Sequence, residues 1–448
     1  MNFVPRNATV PFYKGHEWTA GRLPRDSFPW VESDQLASFF HGQPDESATE
    51  CDLASYAAAK PWIWPSRTHY FFSDLHADAD ALLLSLVASG GVTKTGPGDF
   101  DFKLNNRGID ATFVFGGDFF DKGPHNLRLM RTLKHLIDLR ADVVLLVGNH
   151  DLRTFIGLSC AGRKDTRHAH LFVRMGKKTV PLFREIFDEY LAESYVAEEA
   201  PDEDAVRAKL FPDAGWYEQF PDQAAGILPS RRIEKEVRRI AEKCQDFAAQ
   251  CQALGLTLGM INAALEKAKE LFLEPGGEFS WLFERLDLAH RAGSLLMVHA
   301  GLDNQAALLL KNLGVDGLNR TFRAALKEDL FDLYNGPLGN VFRTKYRAND
   351  FPFTNQGLAD THRAGIYAIV HGHRNLLNGQ RITIRQGMLN FECDASVDCN
   401  TRIAEGLEGP GGGVTIIAPE GTVTGLSTDA PFAKTFDITR YGRMATFV

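Results

Sequence analysis

Cysteine is scarce in this chain, with only Cys51, Cys160, Cys244, Cys251, Cys393 and Cys399 among 448 residues. Their scatter fits neither a short disulfide framework nor a paired C-x-x-C zinc pattern, so they read as reduced thiols. Long apolar runs are missing too. No stretch approaches the roughly 20 residues that span a bilayer, and the opening Met1-Asn-Phe-Val-Pro-Arg6 has no apolar signal core behind a basic segment. A cytoplasmic location without membrane partners is expected. Positive charge is not in excess either: a formal charge of -8 and a pI near 6.0 argue against broad nucleic-acid binding. Small molecules or proteins are the favoured substrates. What the chain does have is 44% hydrophobic residues, enough for a full core in one large elaborated domain or two.

Residues 1–65 are rich in Pro, Trp, Phe and polar residues without a clear period, and read as an irregular extension over a core. Thereafter a short apolar, β-branched or aromatic run followed at once by Gly, Asp, Asn or His occurs five times. That is how a buried strand ending in a functional loop reads. The runs are His69–Phe72, Ala111–Phe115, Val143–Val147, Ser294–Val298 and Ile366–Val370. Segments at helical spacing, Ala79–Ala88 and Asn126–Arg140, separate the first three, which predicts β-α-β order, parallel strands and an α/β core.

The third and fourth runs are separated by a charged, helical stretch, notably Ile233–Leu273, taken as an inserted cap. The expected division is an extension over 1–65, a first half-core over 66–158, a cap over 159–290 and a second half-core over 291–448. The basic cluster Arg231, Arg232, Lys235, Arg238 and Arg239 in the cap reads as a solvated helix face rather than a substrate site. Strands at Arg381–Ile384, Met388–Cys393, Val414–Ile417 and Thr422–Leu426 are expected to continue the core as a second sheet. Gly409-Pro-Gly-Gly-Gly413 lacks the Lys-Ser/Thr and following helix of a phosphate loop and reads as a flexible turn.

The five strand ends present Asp74-Leu-His76, Gly117-Asp118-Phe-Phe-Asp121-Lys122-Gly123, Gly148-Asn149-His150-Asp151, His299-Ala-Gly301 and Gly372-His373. Carboxylate, amide and imidazole donors suit Mn, Fe, Zn and similar divalent ions, and no thiolate selects a softer site. Parallel topology would gather all five at one sheet edge. Singly, each motif is weak: Asp and His after a strand usually make turns or caps, and a lone His is usually a satisfied core residue. Gly-Asn-His-Asp is more pointed, because consecutive polar groups after Leu-Leu-Val are expensive near a core unless paired or metal-bound. Five in this order point to a metal site.

In this order the motifs resemble the five blocks of the calcineurin-like metallophosphoesterases, over about Tyr70–Asp151 and Leu295–Asp394. Gly-Asp-Phe-Phe-Asp-Lys-Gly further resembles the block of the serine/threonine phosphoprotein phosphatases and the symmetrical diadenosine tetraphosphatases. The resemblance implies a two-sheet β-sandwich flanked by helices, here with a large helical insertion, and two divalent ions, with Mn the expected choice in vitro. Asp74 and His76 would hold the first ion, Asp118 would bridge, and Asn149, His299 and His373 would hold the second. Such a pair, about 3.5–4 Å apart, lowers the pKa of a shared water so that hydroxide attacks phosphorus directly.

His150 would donate a proton to the leaving oxygen, with Asp151 supporting its imidazolium and Asp121 as a further catalytic carboxylate. Lys122, in the place of the family's phosphate-binding Arg, would grip the phosphate with Asn149 and with Arg343 or Arg347. Three features depart from the pattern: Lys122 lacks an arginine's bidentate fork, Ala77 stands where a Gly usually follows the first His, and Asp151 replaces a common Glu. The last block also reads as a His371-x-His373 pair with one metal each, although Gly372-His373 is preferred. The expected function is a metal-dependent phosphatase acting on phosphate monoesters of a phosphoprotein or small molecule. The rival readings are a hydrolase of dinucleoside polyphosphates or cyclic phosphodiesters, and a non-catalytic scaffold using the cap as its partner surface.

Overall fold

The structure, a computed structural model, describes residues 10–30, 48–58 and 60–441. The opening hexapeptide and much of the predicted extension therefore lie outside the described residues. In chain order the strands are β1 (Ser27–Pro29), β2 (His69–Phe72), β3 (Val92–Lys94), β4 (Phe102–Leu104), β5 (Thr112–Phe115) and β6 (Asp142–Leu146). After a helical excursion come β7 (Leu286–Asp287), β8 (Ala289–Ala292) and β9 (Leu295–Val298). The rest are β10 (Ala368–His371), β11 (Arg381–Arg385), β12 (Met388–Glu392), β13 (Gly413–Ile417), β14 (Thr422–Ser427) and β15 (Ala433–Asp437).

Two sheets face each other. An 8-stranded sheet runs β1-β15-β14-β13-β2-β5-β6-β7 and a 5-stranded sheet runs β11-β12-β10-β9-β8, with β3 and β4 forming a separate hairpin. Side-chain alternation, with period two along each strand, builds the layers. Phe71, Val114, Met297, Val370 and Phe391 share one buried cluster between the sheets, whereas Tyr70, Phe72, Phe113, Phe115, Leu296 and Ile369 join the cluster under the flanking helices. The α/β sandwich with flanking helices is therefore observed.

Three expectations need correction. The five motif-bearing runs do not end at one sheet edge: β2, β5 and β6 are parallel neighbours in the larger sheet, and β9 and β10 are parallel neighbours in the smaller. Periodicity sees only strands, and the partition between sheets is decided by which faces bury each other. For the same reason the strands after His373 divide. β11 and β12 extend the smaller sheet beside β10, while β13 pairs antiparallel with β2 in the larger. Finally, the extension is not wholly irregular. β1 pairs in parallel with β15, and Glu50–Ala58 is a helix burying Leu53 and Ala57, elements too short to show a sequence period.

The excursion between β6 and β7 carries the long helix Ser230–Ala253, seated through Ile233, Ile240, Phe247 and Cys251, and the helix Leu258–Leu273 packed on Val180–Tyr190. It is bolted to the core through the Gly-Asp-Phe-Phe-Asp motif, since the Phe120 ring lies 5.5 Å from Phe272 and 5.9 Å from Phe283. Glu185 also accepts the backbone N–H groups of Asn126 and Leu127, capping the helix Asn126–Asp138. Among the described residues no helix is long and apolar enough to cross a membrane.

Candidate active site

The loops after β2, β5 and β10 and the first turn of the helix Asn149–Cys160 line one cavity, and the fully buried His299 after β9 packs against its Asp118, Asn149 and His373. Their backbones are held in an unusual state. Asp74, His76, Asp118, Asp121, Lys122 and His373 all have φ between 43° and 68°, the left-handed region that costs an L-residue on the order of 1 kcal/mol. Ala77, standing where a glycine was expected, does the same at φ 54°. Two glycines permit the close approach: a Cβ on Gly148 would lie 2.2 Å from the Asp118 nitrogen, and one on Gly372 would lie 2.0 Å from Asp74 Oδ2.

Asp118 is the hub. Its Oδ2 lies 3.7 Å from His76 Nε2 and 3.5 Å from His299 Nε2, and its Oδ1 accepts the His150 backbone N–H at 2.8 Å. Two groups of donor atoms share it, Asp74 with His76 and His299 with His373, each group lying within 4.8 Å. The imidazoles are pre-set. His76 Nδ1 donates to Phe120 O, His299 Nδ1 to Gly116 O and His373 Nε2 to Arg343 O, at 3.1, 2.7 and 3.1 Å, leaving the opposite lone pairs pointing inward. Burial and the Lys122 charge hold His76 well below the usual imidazole range, and burial and His299 do the same to His373, so both stay in the neutral ligating form.

This arrangement fits divalent ions. His299 Nε2 faces His373 Nδ1 at 3.2 Å and Asn149 Oδ1 at 3.4 Å, three acceptors turned on one another beside a carboxylate. Turned over, the Asn149 amide would place its nitrogen 2.8 Å from His373 Nδ1. The oxygen-inward orientation is the one a cation selects. On the other side the Lys122 ammonium lies 2.7 Å from His76 Nε2, a cation already occupying ligand space. Burial pulls that ammonium down, but Asp394, Asp118 and Asp74 outweigh it and hold it above the ordinary lysine value.

His150 meets Asp121, not Asp151: its Nδ1 is 2.7 Å from Asp121 Oδ2, and its Nε2 points toward Asp118 Oδ2 at 3.9 Å. The expectation that Asp151 supports the imidazolium is corrected. Its carboxylate accepts the backbone N–H groups of Asp118, Phe119 and Gly148 at 2.7, 2.7 and 2.8 Å, fastening the Asp118 loop to the helix start. Position three of a helix directs its side chain back over the N-terminal amides, which explains the exchange. Asp151→Ala is accordingly expected to cost on the order of 3 kcal/mol, read from chemical denaturation, by stranding three buried donors.

His371 is not in the cluster either. It is fully buried on β10, with Nδ1 bonded to Gly372 O and Nε2 4.0 Å from Glu392, so the His-x-His pairing does not form. Arg343 and Arg347 both line the cavity.

Three neighbours escaped the sequence reading. Asp394 follows β12, which runs parallel beside β10; it is buried, and its Oδ2 has no hydrogen-bond partner among the described residues. Burial and then Asp74 hold its carboxyl well above the usual range. Its signal was present, because Met388–Cys393 is another expected strand followed at once by Asp. Arg153, one helical turn past Asn149, donates through Nε to the Tyr334 hydroxyl at 3.2 Å. Arg343 and Arg174 lie over the same ring at 5.0 and 5.7 Å.

Burial pushes the Tyr334 phenol up, but Arg153, Arg174 and Arg343 outweigh it and bring it to about 7. An ultraviolet titration is expected to show one tyrosine ionising near pH 7, a step missing in Tyr334→Phe. Because this pKa lies below the unfolded value of about 10, the phenolate stabilises the fold increasingly as pH rises from about 7 to 10, and not below about 7.

Residues 69–223 match the calcineurin-like phosphoesterase family. Over those residues the chain belongs to that family. The match takes in every predicted site residue from Asp74 to Asp151 and stops short of His299 and His373. Among solved structures, a cold-active protein-tyrosine phosphatase of a psychrophile Shewanella sp. is similar at 13% identity and a TM-score of 0.44, covering 85% of this chain and 84% of that one. A protein serine/threonine phosphatase from Saccharomyces cerevisiae is similar at 14% identity and a TM-score of 0.36, covering 90% of this chain and 96% of that one. Comparison with curated proteins finds no match.

Proposed function

We propose that this calcineurin-like phosphoesterase is a metal-dependent phosphatase that transfers the phosphoryl group of a phosphate monoester to water. The observation carrying the reading is the placement of Asp118 between two sets of inward-facing imidazole and carboxylate donors, with His150, backed by Asp121, lining the same cavity. Asp74, His76 and Asp118 would hold one divalent ion, and Asp118, Asn149, His299 and His373 a second. When bound, the ions supply positive charge for the phosphoryl oxygens and an activated water as nucleophile.

The chain's own groups do the rest. Gly116, Phe120 and Arg343 carbonyls fix the imidazole tautomers. Lys122, once displaced from His76, and Arg343 bring cationic donors to the equatorial oxygens. His150 holds a proton at Nε2 for the leaving oxygen, while Asp121 orients the ring and balances its charge through Nδ1. No covalent phosphoenzyme is required, because no nucleophilic side chain takes part. The rival substrates, dinucleoside polyphosphates and cyclic phosphodiesters, would use the same donors and are separated by a substrate screen.

The test is release of 4-nitrophenol from 4-nitrophenyl phosphate by protein stripped with a chelator, with and without added manganese. Turnover that appears only on adding manganese supports the reading. Equal turnover in both samples contradicts it, as does none with any divalent ion across aryl, sugar and peptide phosphates.

A further inference from the structure

Above the donor cluster the cavity, about 640 Å³, is walled by the helical cap and is strongly cationic. That volume is of small-molecule size. On the long helix Ser230–Ala253, residues 232, 236, 239, 243 and 246 recur at i, i+4, i+7, i+11 and i+14 and therefore share one face. All except Glu236 line the cavity. The basic cluster that reads as a solvated face thus divides. Arg231, Lys235 and Arg238 do not line the cavity, whereas Arg232 and Arg239 do, as does Glu242, which lies 3.8 Å from Arg238.

Pairing within the cap is incomplete. Arg174 is held by Glu236 at 3.0 Å and Lys177 by Asp246 at 3.3 Å, but Arg232, Arg239 and Lys243 form no ion pair among the described residues. Crowding of cations along the cleft is costly. Burial, then Arg174 and Arg153, pull Lys243 down to about 8, and burial pulls Arg343 to about 10, with Arg232 and Arg174 adding to the effect. Unpaired cations lining a cleft raise the potential and draw anions in. A single phosphoryl group engaged at the donor cluster, with Lys122 and Arg343 on its oxygens, leaves these three cap cations unneutralised.

We propose that Arg232, Arg239 and Lys243 form a second anion subsite, and that the substrate is a small molecule carrying a further phosphate group besides the one hydrolysed. This rests on the phosphatase reading for the reacting group, but the subsite itself needs no metal.

The experiment measures binding of inorganic tripolyphosphate and of inorganic phosphate to chelator-stripped full-length protein by calorimetry at fixed ionic strength, in wild type and in Arg232→Ala/Arg239→Ala/Lys243→Ala. Tripolyphosphate affinity is expected to fall at least tenfold in the variant and phosphate affinity less than threefold, with circular dichroism reporting the fold. Equal tripolyphosphate binding by both proteins, or equal losses for both anions, overturns the proposal. With manganese, the ratio of kcat/KM for fructose 1,6-bisphosphate to that for glucose 6-phosphate is expected to fall at least tenfold. A variant that loses turnover of a phosphopeptide while keeping this ratio assigns the cap to a protein substrate and overturns the proposal too. Because the calorimetry omits metal, it can fail while manganese-dependent turnover stands, and the reverse.

Discussion

Asp118→Asn is expected to lower manganese-dependent turnover by at least about 10³-fold, because the several kcal/mol that a bound metal pair supplies passes through one carboxylate. Among the described residues no other side chain belongs to both donor groups. Burial pushes the Asp118 carboxyl up, but His299, His150, His76 and His373 outweigh it and hold it well below the usual range. The amide is nearly isosteric and its oxygen still accepts the His150 N–H, so the loop has reason to stay in place. Metal content then separates causes. Loss of bound manganese together with turnover, at unchanged circular dichroism, is the expected pattern, and a variant retaining both contradicts the bridging role.

The second large effect concerns the leaving group. His150→Asn and Asp121→Asn are each expected to slow turnover of an alkyl phosphate by about 10²-fold or more, within the range for loss of a general acid. The loss on 4-nitrophenyl phosphate is expected to be much smaller, since nitrophenolate departs without a proton. Asp151→Asn provides the contrast. Among the described residues its carboxylate bonds only to the amides of Asp118, Phe119 and Gly148, so its effect falls on stability and metal affinity alike for both substrates. Equal losses on the two substrates in His150→Asn would contradict a proton-donating role.

How much of this was legible in the sequence divides along physical lines. Strand-terminal motifs are local: a buried run such as His69–Phe72 ending in Asp74 and His76 announces both the strand and the donors. Order along the chain then brought the donors together, and Asp118, Asn149, His299 and His373 do converge. Contacts made across the fold were not legible. The exchange of Asp121 for Asp151 beside His150 depends on helix geometry at the Asn149 turn, which a list of adjacent residues does not carry. The division of strands between two sheets depends on which faces meet. Arg232 and Arg239 could be told from Arg231 and Arg238 only once the seating of Ile233, Ile240 and Phe247 had set the rotation of the cap helix. Asp394 and Tyr334 were missed for different reasons. Asp394 obeyed the same strand-end rule as the chosen motifs, while Tyr334 acquires its character entirely from three arginines contributed by other segments.

The most direct test of the central claim is a titration of chelator-stripped protein with manganese, following bound metal and phosphatase turnover in the same samples. Two ions per chain, with turnover rising to its plateau as the second site fills, is the predicted result. A plateau at one ion per chain, or full occupancy by two ions without turnover on any phosphate ester tested, would contradict it.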